Sequence, residues 1–176
     1  PFTYFATAEV IALVGAKPIF ADINPHTFNI NHKLIESLVS KKTKAIMPVH
    51  LYGQSCEITK IRNICKKNKI ALIEDCAQSF GAKYNGKHTG TFGDYGCYSF
   101  FPTKNLGCAG DGGMIVTNNL GKSKMLKKLR NHGGLARNVH EYIGYNSRLD
   151  EIQASILITK LKIIDKLNKS RIKIAE

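Results

Sequence analysis

Short apolar runs alternate along the chain with segments in which apolar residues recur every three or four positions. The apolar runs predict β-strands at residues 18–23, 45–49, 71–74, 96–100 and 113–117. The periodic segments predict helices at residues 7–14, 31–41, 57–69, 122–131 and 149–175. Strands that are apolar throughout and interleaved with helices are typical of a mainly parallel sheet. The pattern therefore predicts one α/β domain core, in which residues 102–112 join the last two strands without a helix.

Both ends of the chain favour a piece of a longer protein. The sequence begins at Pro1 inside a pattern, without an initiator Met. It stops at Glu176 within the last predicted helix, without a Gly or Pro stop signal. We expect residues 1–176 to be the central part of a longer chain.

The composition excludes several classes of protein. An apolar fraction of 43%, with only 15 Gly and 5 Pro, excludes collagen-like and largely disordered chains. No apolar run approaches the roughly 18 residues that a membrane-spanning helix needs, and no charged segment at the start suggests a secretory signal. The five cysteines are odd in number and form no C-x-x-C pair, which disfavours a disulfide framework or a zinc site and favours the cytoplasm.

The formal net charge of +13 suggests nucleic-acid binding at first sight. Only five of the 26 basic residues are Arg, however, and Arg is the residue that base-edge and bidentate phosphate recognition favours. The lysines lie on the polar faces of the predicted helices, where solvated charge is the simpler interpretation. A basic surface would also attract anionic small molecules.

Reactive side chains follow the predicted strands where ligands bind in open α/β sheets, at the carboxyl ends. Asp75 follows one strand, Ser99 closes another, and Lys104 lies in the loop after it. A lysine amine forms a Schiff base with an aldehyde cofactor, a carboxylate keeps a pyridine nitrogen protonated, and a hydroxyl binds a phosphate. These three residues together therefore predict a site for pyridoxal 5'-phosphate.

Five separated stretches resemble one known family. They are residues 44–53 (KAIMPVHLYG), 73–82 (IEDCAQSFGA), 99–107 (SFFPTKNLG), 110–113 (GDGG) and 144–154 (GYNSRLDEIQA). In this order they closely resemble the nucleotide-sugar aminotransferases of the DegT/StrS type, which are fold-type-I enzymes dependent on pyridoxal phosphate. The resemblance runs from Phe2 to the last residue. It implies a three-layer α/β/α large domain, with the helical residues 149–176 leading toward a small C-terminal domain.

The resemblance also implies roles for individual residues. Lys104 matches the lysine that holds the cofactor as an internal aldimine and then moves protons between substrate and cofactor. Asp75 matches the carboxylate on the pyridine nitrogen, and Gln78 matches the residue beside the ring and its phenolic oxygen. Ser99 matches a phosphate ligand. Tyr4 matches the aromatic residue stacked on the ring, for which offset stacking is suited.

Asn146 matches a residue that reaches the phosphate of the neighbouring subunit, so the resemblance implies a homodimer. The implied reaction transfers an amino group from glutamate to a nucleotide-linked keto-sugar. The family's phosphate-binding turn would precede Pro1, and its small domain would follow Glu176. We therefore expect the isolated chain to bind the cofactor weakly.

Other interpretations remain open. A related sugar dehydratase has a His in place of the Schiff-base lysine, and Lys104 argues against it. A non-catalytic regulatory or nucleic-acid-binding protein is prompted by the charge but does not require Asp75, Ser99 and Lys104 together. Asp75 as a helix cap and Lys104 as a surface lysine are the simpler alternatives at single positions. His50 and Tyr52 are interpreted as structural or supporting residues.

Overall fold

The structure, a computed structural model, describes residues 1–176. Its strands are β1 (Ala45–Ile46), β2 (Ala71–Asp75), β3 (Lys83–Tyr84), β4 (Lys87–His88), β5 (Tyr95–Ser99) and β6 (Gly113–Val116). The main sheet has the order β1-β2-β5-β6, with β2 parallel to both β1 and β5 and with β6 antiparallel to β5. The predicted α/β class with a mainly parallel sheet is confirmed.

Six α-helices and one 3-10 helix (Leu51–Gly53) accompany the sheet. The α-helices are α1 (Ala6–Leu13), α2 (His32–Leu38), α3 (Ile58–Asn68), α4 (Leu120–Leu129), α5 (Glu151–Leu161) and α6 (Ile164–Ala175). Asn31 caps the start of α2, since its side chain accepts a 3.1 Å hydrogen bond from the backbone N–H of Lys33. None of the helices is long and apolar enough to cross a membrane.

Two apolar clusters hold helices against the sheet. The first joins α2 and α3 to β2, and the second joins α5 and α6 to the end of β5. Leu72 on β2 belongs to the first cluster, whereas Asp75 points to the opposite face and is contacted by α1 through Thr7. Helices therefore lie on both faces of the sheet.

The loop between β5 and β6 contains no helix, as predicted, and is closed at its base. Ser99 pairs with Gly113, and the N–H of Phe100 donates to the carbonyl of Gly112 at 2.7 Å. The Lys160 ammonium on α5 donates to the carbonyl of Gly107 at 2.6 Å. A Cβ on Gly107 would lie 2.5 Å from a backbone oxygen, so this turn of the loop requires glycine. The backbone around Lys104 is therefore held from several directions.

The strand predicted at residues 18–23 is wrong. Ile23 alone forms a bridge, which is antiparallel and joins it to Ile30, while the N–H of Asn31 donates to the carbonyl of Asp22 at 2.9 Å. Residues 22–31 thus pair with themselves, and Ile19 is 61% exposed. An apolar run becomes a strand only where a neighbouring backbone completes its hydrogen bonds, and the sheet ends at β1.

The single helix predicted over residues 149–175 is also wrong, since it is broken between α5 and α6. Ile163 has φ −119° and ψ 1°, outside the helical region, although neither Gly nor Pro marks the break. The break accompanies tertiary contacts: Leu157 and Ile164 are buried in one cluster, and Asn168 bonds to the carbonyl of Phe80. Such contacts are not visible in the periodicity.

A short hairpin of β3 and β4 was not predicted. Its turn is Asn85-Gly86, with φ of 48° and 78°. An Asn-Gly pair is the sequence signal for a tight hairpin turn that needs positive φ at both central residues. The signal was therefore present, but the flanking strands have only two residues each.

Candidate active site

The carboxyl ends of β2 and β5 open into a cavity of about 400 Å³, which we call the strand-end cavity. Its volume lies within the range of roughly 300–1,000 Å³ that is common for small-molecule sites. Five of the six residues predicted from the sequence line it: Tyr4, Asp75, Gln78, Ser99 and Lys104. The expected convergence of strand ends is thus present in the structure.

Asp75 has a fixed orientation at the end of β2. Its Oδ2 accepts a 2.8 Å hydrogen bond from the hydroxyl of Thr7, and its Oδ1 accepts one of 3.0 Å from the N–H of Ala77. Its carbonyl accepts from the N–H of His50 at 3.0 Å. The carboxylate is half-buried and faces the strand-end cavity, which Lys104 also lines.

Lys104 is half-buried in the loop between β5 and β6. Its backbone N–H donates to the carbonyl of Phe101 at 2.9 Å, but its ammonium group makes no hydrogen bond or ion pair within the chain. Four other lysines are paired with carboxylates. Lys104 therefore presents an uncommitted amine to the cavity.

Gln78 and Ser99 keep part of their hydrogen-bonding capacity free. Gln78 accepts a 2.8 Å hydrogen bond from the N–H of Tyr52 through Oε1, which leaves its NH₂ group as a donor. Ser99 accepts from the N–H of Phe101 at 3.3 Å, which leaves its hydroxyl hydrogen as a donor. Tyr4 is 74% exposed at the mouth of the cavity.

Asn146 lines neither of the two main cavities. It is exposed, forms a backbone bridge with Asn131, and accepts a 3.1 Å hydrogen bond from Nε of Arg148. Its predicted role concerns a neighbouring subunit, and that role stays a prediction.

Sequence reasoning missed several residues of the strand-end cavity. Thr7, Thr103 and Asp111 also line it. Thr7 is separated from Asp75 by 68 positions, and no local pattern relates the two. Thr103 and Asp111 lie inside stretches that the sequence comparison had already marked, so proximity to Lys104 was the available signal.

A buried pair lies beneath the site. The fully buried His50 and Glu74 contact each other at 3.0 Å, and Glu74 also accepts from the backbone N–H groups of Gly90, Phe92 and Gly93, each at 2.7 Å. Burial alone would raise the pKa of Glu74, but these hydrogen bonds outweigh it and lower the pKa. Because His50 Nδ1 faces the N–H of Cys56 at 3.2 Å, its Nε2 is the nitrogen that donates to Glu74.

The same region contains the one His/Cys/acid group that is compact enough to consider for a metal: His50, Glu74 and Cys76, with ligand atoms within 4.8 Å. The carboxylate oxygens of Glu74 already accept four hydrogen bonds. Burial raises the pKa of Cys76, whereas a metal needs the thiolate. The group is therefore a structural network rather than a metal centre.

A second cavity of about 540 Å³ adjoins the first, and we call it the helix-side cavity because α6 forms one wall. The two cavities share Gln78, Thr103 and Lys104. Lys104 therefore lies between two spaces, one at the strand ends and one against α6.

Comparisons with known proteins place the chain in one family. The model of the DegT/DnrJ/EryC1/StrS aminotransferase family matches residues 1–176. The chain is 52% identical over 170 residues to a pleiotropic regulatory protein of Geobacillus stearothermophilus, covering 97% of this chain and 46% of that protein. It is 47% identical over 174 residues to the UDP-2-acetamido-2-deoxy-3-oxo-D-glucuronate aminotransferase of Pseudomonas aeruginosa, covering 99% and 48%.

Solved structures agree with these relatives. The structure of NtdA from Bacillus subtilis with bound cofactor PMP matches with a TM-score of 0.85 at 35% identity, covering 92% of this chain and 37% of that chain. The chain spans about half the length of the curated relatives it matches. With the family model covering every residue and the fold in agreement, the chain belongs to the DegT/DnrJ/EryC1/StrS aminotransferase family.

Proposed function

We propose that the protein is an aminotransferase dependent on pyridoxal phosphate, which transfers the amino group of glutamate to a nucleotide-linked keto-sugar. The observation that carries the proposal is the meeting of Asp75 and Lys104 in one cavity of a chain from this family. A carboxylate with fixed orientation and an uncommitted amine are the two groups that this cofactor requires.

The donor set of the strand-end cavity fits the cofactor. Asp75 would bind the pyridine nitrogen, and Lys104 would bind the aldehyde carbon. Ser99 would donate to the phosphate, Gln78 would donate from its NH₂ group beside the ring, and Tyr4 would cover one ring face. The related NtdA contains PMP, the aminated form of the same cofactor, which supports the assignment.

When bound, pyridoxal phosphate supplies an electron sink for the carbon that loses or gains a proton. Asp75 would keep the ring nitrogen protonated, because the hydrogen bonds from Thr7 and Ala77 fix the orientation of its carboxylate. Lys104 would accept and release a proton at its side-chain nitrogen, since no partner within the chain occupies that group. The site would therefore combine the fixed carboxylate of Asp75 with the mobile side chain of Lys104.

The substrate class rests on the named relatives. The Pseudomonas aeruginosa relative is named for an oxo derivative of a UDP-linked sugar acid, which is a nucleotide-linked keto-sugar. Other relatives are named as transaminases of dTDP-linked sugars. The net charge of +13 favours anionic nucleotide sugars as substrates.

The proposal includes the assembly and the location. In a homodimer, Asn146 would reach the phosphate in the partner's site, in keeping with its position outside both cavities of its own chain. Residues 1–176 would form part of the large, cofactor-binding domain, because they match less than half the length of the curated relatives. The location would be cytoplasmic.

Absorbance spectroscopy of the full-length protein tests the proposal. The wild type should gain a visible absorbance band with pyridoxal phosphate, and glutamate should bleach this band. Lys104→Ala should lose the band, whereas Lys169→Gln on α6 should keep it. A band that persists unchanged in Lys104→Ala would show that Lys104 is not the cofactor lysine.

A regulatory protein is the second candidate, because the relative with 52% identity is named a pleiotropic regulatory protein. The basic charge is spread over α3, α4, α5 and α6 rather than confined to one helix. A nucleic-acid-binding function predicts tight duplex binding that weakens steeply with salt. Such binding in a protein that takes up no cofactor would favour this candidate over the aminotransferase.

A further inference from the structure

The helix-side cavity carries positive charge and contains no acidic residue. Lys104 and Arg171 are its two charged lining residues. The strand-end cavity, in contrast, includes Asp75 and Asp111. Of the two spaces that adjoin Lys104, the helix-side cavity is therefore the one that favours an anion.

One face of α6 forms the wall that bears Arg171. Asn168, Arg171, Ile172 and Ala175 line the cavity, and their spacing of three, four and seven positions is that of a single helical face. This face meets the loop that contains Lys104, because Asn105 of that loop bonds to Asn168 on α6.

Hydrogen bonds join Arg171 to the neighbourhood of the reactive lysine. Oδ1 of Asn168 accepts from Nδ2 of Asn105 at 3.0 Å and from Nη1 of Arg171 at 3.3 Å. Nδ2 of Asn168 donates to the carbonyl of Phe80 at 3.1 Å. Since Asn105 follows Lys104 directly, one amide group sets the position of Arg171 relative to the lysine loop.

The guanidinium group of Arg171 is available for a ligand. It forms no ion pair, and its one hydrogen bond uses one of five N–H groups. The planar fork of a guanidinium matches the two oxygens of a carboxylate. The group is exposed within the cavity, so a small anion can reach it.

We infer that the helix-side cavity binds the amino-acid donor, with its α-carboxylate on Arg171 and its amino group toward Lys104; this inference rests on the proposed function. In an amino acid the carboxylate is attached to the same carbon as the amino group. The cation that binds this carboxylate must therefore share a cavity with the reactive lysine, and Arg171 lines the same cavity as Lys104. In a nucleotide sugar the phosphates are separated from most keto positions by part of the sugar ring, which places their cation farther away.

Separate measurement of the two half-reactions tests the inference in the protein loaded with pyridoxal phosphate. Arg171→Gln should weaken apparent glutamate binding by about tenfold to a hundredfold, the effect of losing a charged hydrogen bond. Apparent keto-sugar binding to the pyridoxamine form should change less than about twofold by the same reasoning. Arg171→Lys should retain an intermediate affinity for glutamate. Lys169→Gln, which removes one positive charge from the exposed side of α6, should match the wild type.

A non-reacting probe provides a readout that does not depend on turnover. Glutarate has two carboxylates and no amino group, and it should compete with glutamate in the wild type and lose affinity in Arg171→Gln. Ala175→Glu, which adds a negative charge to the same wall, should also weaken the binding of glutamate and of glutarate. The inference is overturned if Arg171→Gln weakens the keto-sugar more than glutamate, or if it leaves both unchanged. If the inference fails but the wild type still reacts with glutamate, the proposed function is retained.

Discussion

The hydroxyl of Thr7 on α1 donates a 2.8 Å hydrogen bond to the carboxylate of Asp75 at the end of β2. The contact links residues 68 positions apart and joins a helix on one face of the sheet to the strand end that forms the candidate active site. Thr7 and Asp75 both line the strand-end cavity. The carboxylate proposed to bind the cofactor nitrogen is thus oriented by a residue outside the recognised stretches.

Thr7→Val should weaken cofactor binding by about tenfold or more, because it removes a hydrogen bond to a charged group. Titration of the protein with pyridoxal phosphate, followed by absorbance, measures the change. Thr7→Ser keeps the hydroxyl and should restore most of the affinity. Thr159→Val removes a hydroxyl that bonds only within α5 and should leave the titration unchanged. Equal affinity in Thr7→Val and the wild type would contradict the proposed role.

Asp75→Asn should preserve the shape of the site but reduce the rate of the glutamate half-reaction by at least about a hundredfold, as loss of a proton-holding group does. An amide is a poor partner for a protonated ring nitrogen, so the electron sink is lost. Stopped-flow measurement of the half-reaction, with cofactor content checked in parallel, separates this effect from loss of cofactor. Asp165→Asn on the exposed first turn of α6 is the control. A normal rate in Asp75→Asn would exclude the assignment.

Glu74→Gln should reduce the free energy of unfolding at neutral pH by about 3 kcal/mol or more, because it breaks a buried pair and opposes backbone N–H donors with an NH₂ group. Glu141→Gln removes an exposed partner of Lys128 and should cost about 0–1 kcal/mol. Urea unfolding of both variants beside the wild type gives the comparison. If Glu74→Gln reduced the free energy of unfolding by no more than Glu141→Gln does, the proposed network would be contradicted.

The effect of Glu74 should depend on pH in one direction. Its pKa in the folded state lies below the usual value of 4.5, so the folded state binds fewer protons than the unfolded state. The stabilisation is therefore complete above the unfolded pKa and is lost as the pH falls through the folded pKa. The difference between wild type and Glu74→Gln should shrink below about pH 4.5. If the difference in the free energy of unfolding between wild type and Glu74→Gln grew as the pH fell, the prediction would be wrong.

Hybrid dimers test the position proposed for Asn146. If Lys104 of one subunit works with Asn146 of the other, a mixed dimer of Lys104→Ala and Asn146→Ala chains has one site with both native residues. Mixing the two weakened variants should then recover up to half the wild-type activity. If both residues act within one chain, neither site of the hybrid is intact and mixing restores nothing. Differently tagged subunits, purified as a mixed pair, provide the sample.

The strand ends were predictable from the sequence because the chemistry there follows apolar runs directly, as Asp75 follows β2. Contacts between distant segments were not predictable. The bond from Thr7 to Asp75 and the break at Ile163 depend on packing that no local pattern encodes. Residues 18–23 have the composition of a strand, but strand formation depends on a neighbouring backbone rather than on composition alone.

Lys104 combines a flexible side chain with a backbone that is fixed in place. Its loop is closed by the pairing of Ser99 with Gly113, and Phe100, Leu106 and Cys108 are buried beneath it. The position of the Lys104 nitrogen therefore changes through rotations of its unbranched side chain rather than through movement of the backbone. These rotations keep the nitrogen within the strand-end cavity and the helix-side cavity, both of which Lys104 lines. The proposed transfer of a proton from one position to another requires such a restricted range of positions.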